Sequence, residues 1–430
     1  MHLTKMLSFR REKTVNKHLD FPLFSTVSLL TAFGSVMVYS GSVIVATKQG
    51  FEPQHYFIRQ IIWIAIGLFT GYVAYRINYR ILPKLAPFLL GAAIILLISV
   101  LVINIGSPIK RWIDLGFFDI QPSEIAKLVF LIYLSSWLAS RKESSRITKE
   151  NIKNHFIKDL LPFLLLLSVV SFLILLEPDL DTTIILGATS VLVYFIAGND
   201  LLHLLGSGSI FMLIMTLFGI ATQTASYRLE RFINWKDFWV NSTIQDPYGA
   251  GYQLKQILVA VSSGGLMGVG FGESRQKFHY LGDTAFSDTI FAIFAEEFGF
   301  LGSVILISGF FFLLYRGFVI AKRAPDKLGF LLATSITIWI TIQATLHIAS
   351  NVALIPINGN TLPFISYGGS STIVNLTAIG LLLNISRSNK DGKKRVVSNR
   401  VKEVRSKRRG QKSSKLSQIN PKKWITNIFD

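Results

Sequence analysis

A carboxylate just ahead of an apolar helix, with two arginines on one turn upstream of it, can take a proton from a hydroxyl while gripping an anion. The chain holds such a set within residues 226–299, a segment rich in charge, aromatics and glycine that lies between long apolar runs. Arg228 and Arg231 stand three apart in YRLERF, a spacing at which two guanidiniums share a helix face and could clamp a diphosphate; arginines at a lipid headgroup or in salt bridges use the same spacing. Asp288 follows in SDTIFA, where it or Ser287 also reads as the N-cap of the next helix. Glu296 and Glu297 lie about two turns further on, in apolar surroundings where carboxylates are costly unless paired or functional. With Lys277 on the same loop, these acids and bases form a site suited to an anionic lipid-linked substrate.

Other polar groups interrupt the apolar runs. In GSPIKRWIDLGFFDIQPSEIAK, Pro122, Ser123 and Glu124 are ordinary helix-start residues, but Lys127 lies on the Glu124 face and already enters the apolar zone. Such a pair marks either a protein interior or an aqueous cavity. Glu177, Asp179 and Asp181 crowd the turn EPDLDTT, either as helix caps or as partners for arginines of the large loop. Residues 351–371 contain Pro356, Gly359, Pro363, Gly368 and Gly369, which exclude a continuous helix, and Ser366, Tyr367, Ser370 and Ser371 there could bond a sugar or phosphate. His347 and Asn351 are a suggestive pair four apart, but no metal-ligand cluster is legible, and the absence of cysteine excludes disulfides and thiolate metal sites. The GxGxG pattern within 264–272 has no preceding strand, so it reads as a turn or close helix contact and not as a nucleotide loop.

These groups need a scaffold, and the composition indicates which. The 430 residues are 50% hydrophobic and 16% charged, with a mean hydropathy of +0.47, the profile of a polytopic all-α membrane protein. Ten apolar runs are long enough to span: 22–44, 57–76, 82–104, 122–140, 159–176, 180–197, 201–223, 289–315, 328–350 and 371–386. Both ends are basic, as are the even-numbered connections, through Arg76, Arg80 and Lys84, then Arg141 to Lys158, then Arg316 to Lys327. The positive-inside tendency therefore places both termini in the cytoplasm and the 224–288 loop outside. Residues 1–21 read as a basic cytoplasmic start whose first apolar run is retained, and 387–430 as a basic, disordered tail carrying about 15 of the 44 Lys and Arg. Beside membrane spans, that charge points to anionic lipid and not to nucleic acid. Leu254, Ile257, Leu258 and Val261 recur at helical spacing, predicting a short amphipathic helix lying at the outer surface.

The motifs GSPIKRWIDLG, QPSEIAK, EPDLDTT, YRLERF, GYQ at 251–253, SGGLMGVGFG, SDTIFAIFAEEFG and LPFISYGGSS, in this order between about Met37 and Ser388, resemble the SEDS family (shape, elongation, division and sporulation), which contains RodA and FtsW. Met37 to Ser40 and the long basic tail look more like FtsW. The resemblance implies a peptidoglycan glycosyltransferase in the bacterial cytoplasmic membrane, polymerising lipid II outside it, with cell division as the setting and elongation or lipid II transport as the alternatives. It implies that Asp288 is the essential loop aspartate and general base, Arg228 and Arg231 the loop arginines, and Glu124 and Lys127 the acid and lysine that follow the QPS motif. It also implies a class B penicillin-binding transpeptidase and other wall-synthesis or divisome membrane proteins as partners, with a divalent cation, magnesium or manganese, as the one optional cofactor. Two departures stand out. Asp181 replaces a common glycine, and residues 281–288 lack the Pro-Glu that usually precedes the aspartate and are one residue longer.

Overall fold

The computed structural model of the chain describes residues 19–105, 111–114, 116, 119–141, 160–198, 206, 209 and 225–388. Helices α1 (Phe21–Lys48), α2 (His55–Arg76), α3 (Leu82–Ile103), α4 (Pro122–Ser140), α5 (Leu161–Leu176) and α6 (Leu180–Ile196) form the first half. After α7 (Ala225–Asn241), α8 (Tyr252–Ser263) and the short α9 (Arg275–His279) come α10 (Ile290–Lys322), α11 (Lys327–Asn351) and α12 (Gly369–Ser388). Seven of these are long and apolar enough to cross a membrane, namely α1 to α4 and α10 to α12, while α5 and α6 are shorter apolar helices. Nine of the ten expected spans thus correspond to apolar helices; the tenth, 201–223, lies outside the described residues, as do 1–18 of the basic start and 389–430 of the tail. Among the described residues the only sheet is a two-residue antiparallel ribbon, β1 (Ile113–Asp114) with β2 (Asp119–Ile120), just before α4.

Burial orders the bundle. In α12, α11 and α4, 89%, 72% and 67% of the apolar stretch is buried, against 22% and 28% in α2 and α3, so the first three are the centre and the last two face lipid. One apolar core joins α1, α2, α10, α11 and α12, and a second joins α3 to α6. Carboxylates at helix starts lock the cytoplasmic side. Asp20 accepts the Leu23 N–H and pairs with Arg316 at 2.6 Å, and Asp326 accepts the Gly329 N–H while binding Arg80 and the Tyr79 hydroxyl.

The eighth span is expected to be one continuous helix, but α10 breaks at Gly299, whose φ of 66° and ψ of −163° suit glycine alone. The glycine-rich segment 264–272 fills the break. Phe300 and Leu301 donate to the Gly265 and Leu266 carbonyls at 2.9 and 3.1 Å, and Val269 and Gly270 donate to Glu296 and Glu297 at 2.9 and 3.1 Å. The backbone groups freed by the kink are thereby bonded again, as apolar surroundings demand. Helix α8, with Leu254 and Ile257 buried, packs on α10 beside this join, which agrees with the predicted amphipathic helix.

Candidate active site at the outer end of the bundle

The QPSE and EPDLD motifs meet through Asp179. Its carboxylate accepts the Thr182 N–H at 3.1 Å as the N-cap of α6, the Gln121 side-chain amide at 3.0 Å and the Ser123 hydroxyl at 3.2 Å. Arg111 closes the other side by donating to the Glu177 and Pro178 carbonyls. Glu177 is fully buried in the turn, and burial, with Asp179 adding to it and Arg111 opposing, pushes its carboxyl up to about 9. It is therefore neutral at physiological pH. Asp179 acts as cap and brace and Arg111 of the 105–121 connection bonds the carbonyls of the turn, while Arg231 of the large loop is among the charges that act on Asp181.

One turn of α4 further in, Lys127 donates to Glu124 at 2.9 Å and to Gln343 of α11 at 3.2 Å, with both members of the ion pair buried. The Gln343 amide in turn donates to Thr361. His347, also buried, pairs through Nδ1 with the Asn360 carbonyl at 2.6 Å. The Glu124–Lys127 pair and His347 thus support the non-helical strand of chain between α11 and α12 from below.

That strand carries the platform for Asp288. The Tyr367 N–H donates to the Phe286 carbonyl at 2.9 Å, the Ser366 hydroxyl to Ser287 at 2.7 Å, and the Asn351 amide to the Asp288 carbonyl at 2.9 Å. The rings of Tyr56, Phe286 and Tyr367 pack edge-to-face and tilted against one another with centroids 4.8 to 5.4 Å apart, adding α2 to the same join. Three consecutive carbonyls ahead of α10 are therefore held from the last residue of α11 and the α11–α12 connection. The N-cap of α10 is Thr289, neither Ser287 nor Asp288, and Asn351 accepts the Ala292 N–H at 3.2 Å in place of a local cap. This releases the Asp288 side chain from capping.

The Asp288 carboxylate is half-buried and shares its setting with Asp181. Both approach Gly359: a Cβ at that glycine would sit 3.6 Å from Asp288 Oδ2 and 3.8 Å from Asp181 Oδ2, and the Gly359 N–H donates to Asp181 at 2.9 Å. Burial first, then the like charge of Asp181, pushes the Asp288 carboxyl up to about 6, against the pull of Arg231, Ser287 and Arg111. Arg231 is held by Gln253 of the GYQ motif at 3.1 Å and by the Ile357 carbonyl at 3.3 Å. On the same face of α7, Trp235 and Trp239 both donate to the Ala353 carbonyl, at 2.9 and 2.7 Å. A carboxylate of raised basicity, an arginine and an open edge thus converge where the large loop meets the α11–α12 connection.

The remaining expected residues divide. Glu296 accepts the Ser274 hydroxyl and the Arg275 N–H, capping α9, while Glu297 takes the Lys277 ammonium, which also donates to Ser40 at 2.7 Å. The grouping of Asp288 with Glu296, Glu297 and Lys277 is therefore not what the fold builds, because these three are buried and bonded below the glycine-rich join. Ser370 and Ser371 are also bonded within the protein, to Gln121 and Asp119 and to Thr361 and Asn375. Of Arg228 only the backbone is described, in the first turn of α7. Sequence reading missed Arg111, Arg59 and the tryptophans of α7. Arg59, a charge inside an apolar run, opposes the rise that burial imposes on the Tyr367 phenol, and the 231, 235, 239 spacing marks a helix face. Either signal was available.

A family model described as Cell cycle protein, spanning FtsW, RodA and SpoVE, matches residues 21–391. The chain is 39% identical over 384 residues to the probable peptidoglycan glycosyltransferase FtsW of Nitrosomonas europaea, covering 87% of this chain and 95% of that one. It is 35% identical over 374 residues to the stage V sporulation protein E of Bacillus subtilis, covering 86% and 97%. In structure it is similar to a chain from a study of how a peptidoglycan synthase complex coordinates polymerisation and crosslinking, with a TM-score of 0.67, 28% identity and coverage of 86% and 98%. It is likewise similar to the rod shape determining protein RodA of Thermus thermophilus, with a TM-score of 0.61, 26% identity and coverage of 86% and 97%.

Proposed function

The chain belongs to the FtsW, RodA and SpoVE family, and from that premise we propose that it is a peptidoglycan glycosyltransferase, polymerising lipid II into glycan strands at the outer face of the bacterial cytoplasmic membrane during cell division. Asp288 is the general base. Its carboxylate takes the proton of the 4-hydroxyl of the acceptor GlcNAc as that oxygen attacks C1 of the donor MurNAc, and the bond from C1 to the undecaprenyl diphosphate breaks with its electron pair leaving on the diphosphate. Attack opposite the leaving group inverts the α-linked donor to a β-linked product, so one well-placed base suffices. Arg231, with Arg228 on the same turn, offsets the negative charge gathering on the diphosphate.

The observation that carries this reading is the setting of Asp288. A half-buried carboxylate raised to about 6 is mostly ionised at neutral pH, yet basic enough to accept a proton, and its backbone is fixed on three sides. The synthase complex among the similar structures supports a crosslinking partner, for which a class B transpeptidase is the candidate. Purified Asp288→Asn protein, given labelled lipid II in detergent, is expected to lose polymerisation about a hundredfold to ten-thousandfold. Glycan ladders formed at the parent rate would remove Asp288 from the base role.

A further inference from the structure

A groove of about 450 Å³ runs between α1, α2 and α12, in the half of the bundle remote from Asp288. Its size is within the roughly 300–1,000 Å³ of typical ligand sites. Val27, Leu68, Leu376 and Leu383 give it apolar walls. The groove is fixed by the fold. Its floor is a close helix contact in which a Cβ on Gly380 would meet the Gly71 carbonyl at 2.1 Å. Its lower end is tied by the Asn384 amide, which donates to the Ala74 and Tyr75 carbonyls at 2.9 and 2.7 Å.

The chemistry changes at that lower end. Tyr72 and Tyr75 line the groove there, and each carries an arginine: Arg76 lies 5.5 Å from the Tyr72 ring centre and donates to its hydroxyl at 2.8 Å, and Arg387 lies 5.3 Å from the Tyr75 ring centre. Both arginines belong to the basic face that the positive-inside tendency places in the cytoplasm. An apolar trench whose tyrosines at the cytoplasmic end each carry a guanidinium has the charge and shape of one lipid class. We propose that this groove binds an anionic phospholipid of the cytoplasmic leaflet, one acyl chain lying between α1, α2 and α12 and the phosphate between Arg76 and Arg387. The site is separate from the polymerisation site, since its charged mouth is at the opposite face, and it stands whether or not Asp288 is the base.

The full chain, purified in detergent, can be titrated with dioleoylphosphatidylglycerol or dioleoylphosphatidylcholine, and bound lipid counted by native mass spectrometry. Phosphatidylglycerol should be retained at sub-stoichiometric addition and phosphatidylcholine should not. Arg76→Gln with Arg387→Gln should weaken retention by at least about tenfold, from the loss of two arginine contacts at the headgroup level. Ala32→Phe, an exposed groove position on α1, should abolish retention by filling the trench while leaving both arginines in place. Equal retention of the two lipids, no retention of either, or unchanged phosphatidylglycerol binding in both variants would overturn the proposal. So would displacement of bound phosphatidylglycerol by undecaprenyl phosphate at equal concentration, which would make the groove a path for the substrate's tail.

Discussion

Asp288 and Asp181 come from distant parts of the chain and meet across a single glycine, so the charge of Asp181 adds to burial in raising the Asp288 carboxyl. A general base acts only when ionised. With the Asp288 carboxyl at about 6, the active fraction is nearly complete at pH 7.5 and falls as the pH drops through 6. A plot of kcat/KM against pH is expected to decline below about pH 6, approaching tenfold per unit, and a profile flat down to pH 5 would contradict the assignment. The same shift makes the folded state bind more protons than the unfolded chain, so its contribution to stability diminishes as pH rises between about 4 and 6. Asp181→Asn removes the like charge and keeps an oxygen for the Gly359 N–H. The acid limb should then move toward the ordinary carboxylate value near 4. An unmoved limb would mean that Asp181 does not reach the base electrically. Asp288 was legible in the sequence from its place ahead of an apolar run, and Asp181 as one of three acids in a turn and as a departure from a pattern. No spacing rule could have brought the two together, because their meeting depends on how the α11–α12 connection lies over the start of α6.

The same contrast holds for α10, where the outer segment holding Glu296 and Glu297 is joined to the membrane-crossing remainder at Gly299. That glycine has a backbone conformation closed to side chains, and an added Cβ would stand 2.3 Å from the Gly268 nitrogen. Gly299→Ala is therefore expected to destabilise the folded protein by at least about 2 kcal/mol, through both strain and the forced opening of the glycine-rich join. A fall in the thermal unfolding midpoint of the detergent-solubilised protein would register it, and an unchanged midpoint would show that the join is not tight. Hydropathy located this helix to within a few residues at its start but could not see the break, since apolar character is the same on either side of a kink. The glycines were the available sign. GGLMGVGFG read as a turn or close helix contact, and the structure gives it a specific partner, the backbone of residues 295–301. Likewise Glu297 was legible as a costly charge in apolar surroundings and Lys277 as a cation of the loop, but not as partners of each other.

Across the whole molecule, polar chemistry and basic anchors separate to opposite ends. Asp179, Asp181, Arg231 and Asp288 gather where the α5–α6 turn, the first half of α7 and the start of α10 meet the α11–α12 connection, whereas Arg76, Arg80, Arg316 and Asp326 sit at the other ends of the helices. Ten spans were inferred from length and charge, and the nine apolar helices seen outside 201–223 have the order and alternation that the inference requires. A transporter would carry its ionisable groups about the bilayer midplane. Here the buried pairs Glu124 with Lys127 and Glu297 with Lys277 are sealed and mutually neutralised, so the arrangement favours chemistry at the outer surface. The direction of the molecule is open to a direct test because the chain has no cysteine. Tyr248, 84% exposed between α7 and α8, and Arg323, exposed between α10 and α11, can each be replaced by cysteine without touching the site. A membrane-impermeant maleimide should label Tyr248→Cys on intact spheroplasts and Arg323→Cys only after permeabilisation. Labelling in the reverse order would place Asp288 in the cytoplasm, where no glycan strand is polymerised, and would dismiss the proposed activity even with the base intact.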